Sequence, residues 1–97
     1  MQYNFIPNKN AEASGTSLIQ EIPLLRMEYL CQRFPEGFSE YEEDCAKGYG
    51  IKHLTFQCQE TGHVFTVYTR WEIPRIGGNW NASGEEKAAF YNFITQQ

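Results

Sequence analysis

Between Gly50 and Gly78 apolar and polar residues alternate through two β-rich runs, His53–Cys58 and His63–Trp71, separated by Thr61-Gly62. Side chains in a strand point alternately to opposite faces, so strict alternation specifies a sheet with one dry face. Glycine reaches positive φ without a Cβ clash, which makes Thr61-Gly62 the expected two-residue hairpin turn. That turn pairs Cys58 with Phe65, Phe56 with Val67 and Leu54 with Thr69. Leu54, Phe56, Cys58, Phe65, Val67 and Trp71 then share the dry face. His53, Thr55, Gln57, Thr66, Tyr68 and Arg70 share the other, with His53 opposite Arg70 and Thr55 opposite Tyr68. A slip by one residue would mix the two sets, so the pattern defends the faces. Pro74 cannot donate a ladder hydrogen bond and is expected to end the second strand or open a short third one at Arg75-Ile76, closed by Gly77-Gly78.

Helical spacing appears on either side of this sheet. Pro23 suits a first helical turn, and Leu24, Met27, Leu30, Cys31 and Phe34 follow on one stripe until Pro35 and Gly37. Ser83-Gly84-Glu85-Glu86 reads as a capping box, the serine oxygen accepting from Glu86 N–H and the Glu86 carboxylate reaching back. Ala89, Phe90, Phe93 and Ile94 are the apolar stripe of the helix it opens. Thr16–Gln20 reads as an edge strand, and residues 1–13 as a short strand or a loosely packed arm. The expected fold is a single α+β domain: an antiparallel sheet of about four strands, two helices packed on one face, and the polar face left to water.

Glu36–Tyr49 has no clear periodicity and reads as a long connecting loop. Glu36, Glu40, Glu42, Glu43 and Asp44 crowd this stretch together with Phe38 and Tyr41. Carboxylates that steer and aromatics that anchor suit a basic surface on a partner protein. The competing reading is a solvated loop that favours solubility. On the polar sheet face, His53, Tyr68, Arg70 and Arg75 form a second candidate: a cation, a stacking ring and backbone N–H groups suit a phosphate or a base. An ordinary solvated sheet face with cross-strand pairs is the alternative there. A free edge at Thr16–Gln20 would also allow a homodimer by sheet extension.

The net charge of −4 disfavours direct contact with nucleic acid or anionic membrane, both polyanions. No apolar run approaches the roughly 20 residues that span a bilayer. Aromatics at 15% argue for a packed core. Cys31, Cys45 and Cys58 are an odd, irregularly spaced set without a leader-like start, which points to a reducing cytoplasm. Cys45, His53, Cys58 and His63 lack the close pairing zinc prefers, so no metal or cofactor is expected. Cys45 lies among carboxylates that disfavour a thiolate, and no nucleophile is matched to a base at a recognisable spacing. The chain is therefore expected not to be an enzyme. Trp80 is expected to cover the C-terminal helix, with an exposed contact anchor as the alternative.

Ser14–Leu18 (SGTSL), the helix end Leu30-Cys31-Gln32-Arg33-Phe34, the hairpin and the late Arg75-Ile76-Gly77-Gly78 together resemble small phage-encoded proteins of unknown function. Pro35 stands where those usually carry a helix-ending glycine, and the acidic stretch is this chain's own. The resemblance implies an α+β fold and a mobile-element origin and carries no known activity; because some small phage proteins inhibit host defence, it favours the expectation of an inhibitor of a host protein. It implies no catalytic residues.

Overall fold

The computed structural model describes residues 2–44, 49–70 and 73–97, with backbone alone at 40–44 and 49–51. In chain order the elements are β1 (Phe5–Pro7), β2 (Thr16–Glu21), α1 (Met27–Arg33), a 3₁₀ turn (Pro35–Gly37), β3 (Phe38–Asp44), β4 (Tyr49–Cys58), β5 (Val64–Arg70), β6 (Ile73–Asn79) and α2 (Gly84–Thr95). The strands form one six-stranded sheet in the order β1-β4-β5-β6-β2, with β3 also pairing β4. Every described pairing is antiparallel. The class is α+β as expected, with six strands where about four were expected.

The dry face is the one the alternation marks. Leu54, Phe56, Cys58, Phe65 and Val67 are buried, together with Phe5, Leu30, Phe90 and Ile94. Phe5 meets Phe65 and Phe90 edge to face, at centroid distances of 5.3 and 5.1 Å. Trp71 lies outside the described residues.

The pairing register differs from the expected one by two residues. Phe56 pairs Phe65, Leu54 pairs Val67 and His53 pairs Tyr68. The cause is the turn. Cys58 N–H donates to His63 O and Gly62 N–H to Cys58 O, so Gln59–Gly62 form a four-residue connection. Gly62 takes φ +77°, the left-handed conformation that closes it. A shift of two preserves the parity of a strand, so both faces survive the error.

Three further expectations are corrected. Within the stretch Glu36–Tyr49, expected as a loop, the described residues are instead the end of the 3₁₀ turn, all of β3 and the first residue of β4, while 45–48 lie outside the described residues. Pairing with β4 overrides the weak strand propensity of an acid-rich segment. Pro23 does not start α1: Leu25 N–H donates to Ile22 O, which places Pro23 at the second position of a β-turn, where its fixed φ fits. The helix begins only at Met27, and Leu24, expected in its stripe, is 94% exposed. Gly77-Gly78 does not close the third strand but lies inside β6, which runs on to Asn79.

The connection from β1 to β2 has to cross the sheet, because β4, β5 and β6 lie between them. Lys9 N–H is still tied to Glu36 O near the β1 edge. The seven steps from there to Thr16 reach at most about 24 Å. Four strand spacings need roughly 19 Å. This near-taut strap cannot detour round an end, and the helices occupy the dry face, so it is left the polar face. Thr55, Thr66 and Val64 are indeed buried there, at 3%, 2% and 8% exposure. The polar face is not simply open to water.

Candidate functional site

On that polar face the register builds a row across four strands: His53 pairs Tyr68, Tyr68 pairs Arg75 and Arg75 pairs Glu21. The His53 and Tyr68 rings stack at 6.1 Å with 24° between their planes. Burial pushes the His53 imidazole below its ordinary pKa, which favours the neutral ring. Its Nδ1 lies 3.2 Å from Thr55 Oγ1. The Arg75 guanidinium pairs Glu21 at 3.1 Å, while its buried Nε has no hydrogen-bond partner among the described residues. The structure thus brings together three of the four residues expected here. Arg70, opposite Ile73, is exposed at the strand end and stands outside the row. Glu21 was not anticipated, because nothing in its local sequence reveals that β2 joins β6.

The adjoining row is Thr55, Thr66 and Gly77. A Cβ on Gly77 would sit 2.8 Å from Thr66 Oγ1, so glycine is what lets that threonine lie flat. With Arg75 paired to Glu21, the described residues of this face offer an unsatisfied N–H, a stacked ring pair and, at the strand end, the exposed Arg70.

The acidic residues take a different form from the expected loop. Glu36 is exposed in the 3₁₀ turn. Phe38 is half-buried and packs against the core, which corrects its role as an exposed anchor. Along β3, Glu40 registers with Lys52, Tyr41 with Ile51, Glu42 with Gly50 and Asp44 with Tyr49, with an irregularity at Glu43. The side chains of Glu40, Tyr41, Glu42, Glu43 and Asp44 lie outside the described residues, as does Cys45. Pairing of β4 with β5 stops at His53–Tyr68, whereas pairing of β4 with β3 continues to Tyr49. Beyond His53 the two strands form a ribbon of their own. The other edge of β3 pairs no described strand. Lys52 also reaches Glu28 of α1 at 3.4 Å.

A third polar cluster ties the β4–β5 turn to α2. Ser83 Oγ accepts from Glu86 N–H at 3.1 Å, which is the expected half of the capping box. The Glu86 carboxylate does not reach back. It is buried, accepts from Thr61 Oγ1 at 2.6 Å, and lies 2.8 Å from His63 Nδ1. Glu60, on the same turn, accepts from the Asn4 backbone and side chain, which hold its carboxyl below the usual range. This cluster fastens the turn to the N-terminal arm and to the last helix. A residue typed as a cap carried no signal of that use.

Cys58 is fully buried. Among the described residues no group of three or more His, Cys, Asp or Glu side chains is placed to hold a metal ion. No described helix is long and apolar enough to cross a membrane. Trp80 is 66% exposed rather than covered as a lid over the C-terminal helix. No protein-family model, curated protein or solved structure matches the chain.

Proposed function

We propose that the protein is a non-enzymatic inhibitor of phage or mobile-element origin. It acts in the host cytoplasm by occluding a basic surface of a host protein. The observation that carries this reading is the β3–β4 ribbon, which continues past the last pairing with β5 and whose acid-rich outer edge pairs no described strand. Glu36, Glu40, Glu42, Glu43 and Asp44 supply the steering charge, and Tyr41 the anchoring ring. An extended acidic ribbon suits a cationic groove, since complementary charge speeds encounter and rejects acidic competitors. The test is recovery of the tagged protein from bacterial lysate at low and then moderate salt. A stoichiometric partner should be lost as salt rises, and lost at low salt when Glu40, Glu42, Glu43 and Asp44 are all changed to Lys. A partner retained by that variant removes the ribbon from the account.

A second reading is favoured by the unpartnered Arg75 Nε beside the stacked His53 and Tyr68 rings. Here the polar face sequesters a small planar anion such as a nucleotide. Heating the purified protein should release that molecule. An Arg70→Ala, Arg75→Ala double variant with undiminished ligand content would exclude this reading.

A further inference from the structure

Where β1 meets the last residues of β4, the polar face holds a recess of about 390 Å³ lined by Ile6, Asn8, Gln57, Gln59 and Gly62 among others. Small-molecule sites run to roughly 300–1,000 Å³, so this one is at the small end. The ladder puts its side chains together. Ile6 pairs Gln57, and Asn8 N–H extends the pairing to Thr55 O at 2.8 Å. Asn8 and Gln57 are therefore diagonal neighbours on one face, a spacing of roughly 7–8 Å that long side chains bridge. Ile6, between them on the same face, is 50% exposed and offers an alkyl surface.

Each of the two carboxamides has one end tied down, and the tie decides what the other end is. Asn10 N–H donates to Asn8 Oδ1 at 3.0 Å, which sets the orientation of that amide and leaves Nδ2 as a donor. Gln57 Nε2 donates to Gly62 O at 3.1 Å, which leaves Gln57 Oε1 as an acceptor. Among the described residues neither Asn8 Nδ2 nor Gln57 Oε1 has a partner of its own. The supports are themselves bonded: Asn8 O accepts from Ala11 N–H, and Gly62 N–H donates to Cys58 O. A donor and an acceptor held in this way lose little freedom on binding. No charged side chain lines the recess. Of the charged neighbours in sequence, Lys9 is not in the lining, and the Glu60 carboxylate is taken up by Asn4. The chemistry that fits is uncharged and is itself both donor and acceptor.

We propose that this recess binds a neutral planar ring with an adjacent carbonyl and N–H, the imide edge of a uracil-type base. Asn8 Nδ2 donates to the ring carbonyl, Gln57 Oε1 accepts from the ring N–H, and the ring face rests on Ile6. The recess is separate from the row of His53, Tyr68 and Arg75. Gln57 lies four residues beyond His53 along β4, about 13 Å away. Its test therefore depends on neither reading of function given above.

The experiment titrates the ¹⁵N-labelled full chain with uridine and with N3-methyluridine, which keeps both carbonyls and loses the N–H. Uridine should shift the side-chain amide signals of Asn8 and Gln57 and the backbone amides of Ile6 and Gly62. It should bind at least about tenfold more tightly than the methylated nucleoside, because a site built to accept a hydrogen bond rejects the analogue that lacks it. Asn8→Asp keeps the oxygen that Asn10 needs and exchanges the donor for an acceptor, so it should abolish the shifts with the rest of the spectrum intact. Uridine 5′-monophosphate should bind no more tightly than uridine, since no cation lines the recess. Equal binding of the two nucleosides, or no shift at their solubility limit, overturns the proposal. Tighter binding of the monophosphate with shifts centred on Tyr68 and Arg75 also overturns it, because that assigns the ligand to the other row.

Discussion

Replacing Gly78 by Ala should destabilise the protein, against the direction that backbone propensity gives. Gly78 lies in β6 opposite Phe65. In a strand interior, alanine is ordinarily favoured over glycine by about 0.5–1 kcal/mol. A Cβ here would fall 2.6 and 2.7 Å from two atoms of the Phe65 ring and 2.9 Å from Ile19 Cδ1. Carbon atoms rest comfortably at about 3.5–4.0 Å, so the ring must retreat by roughly 1 Å. It has nowhere to go. Phe65 is fully buried and packs on Phe5 at 5.3 Å and on Phe90 at 4.9 Å. Overpacking costs about 1–3 kcal/mol, and three contacts under 3.0 Å put this one in the upper half of that range, at about 2–3 kcal/mol, so that after the propensity gain a net loss of about 1–2.5 kcal/mol remains. For a domain of this size that lowers Tm by roughly 5–15 °C. Urea denaturation should show a lower midpoint at unchanged slope. Adding Phe65→Leu should recover part of the loss, as positive coupling in a double-mutant cycle. A Gly78→Ala protein as stable as the parent, or more stable, would refute the packing argument.

Other outcomes follow from other parts of the molecule. Glu86→Ala removes a buried carboxylate bonded to Thr61 and facing His63, and should cost about 2–3 kcal/mol by urea denaturation, with Thr61→Ala coupled to it in a cycle. Phe90→Ala, at the centre of the aromatic cluster, should cost about 3–5 kcal/mol and leave a marginal fold. The folded-state pKa of His53 is depressed by burial, so the unfolded chain binds the extra proton first. Its stabilising effect is complete above the unfolded value near 6.5 and declines as pH falls from there toward the folded value. His53→Gln should flatten that part of a stability–pH curve. Leu24→Ser should change stability by less than about 0.5 kcal/mol, because that side chain is 94% exposed.

Whatever depends on period alone is visible in the chain. The dry set Leu54, Phe56, Cys58, Phe65 and Val67 follows from alternation, and it survives a misjudged turn because the error is an even number of residues. Whatever depends on a distant neighbour is not visible. Phe38–Asp44 has an acidic, loop-like composition and is a strand because β4 offers it a ladder. Gly77 and Gly78 look like punctuation and are instead gaps that Thr66 and Phe65 fill. Pro23 suits a helix start and a β-turn equally well, and hydrogen bonding at Ile22 decides between them. Among the ligand-site candidates, His53, Tyr68 and Arg75 are brought into one row and Arg70 is not, which follows from the same register shift.

The placement of β1 and β2 also bears on how the chain is made. From β3 to β6 each strand pairs with the next, so that meander can close as it leaves the ribosome. The first two strands cannot. Phe5 waits for Cys58, and Thr16 for Asn79, in each case more than 50 residues further on. At about 5–20 residues per second that is a delay of roughly 3–12 s with both strands unpaired. For that interval the nascent chain carries Tyr3, Phe5 and Ile6 without a sheet to hold them. Slow codons just after β2 would lengthen the exposure, whereas a circular permutant opened in the strap, carrying β1 after α2, would remove the wait for that strand.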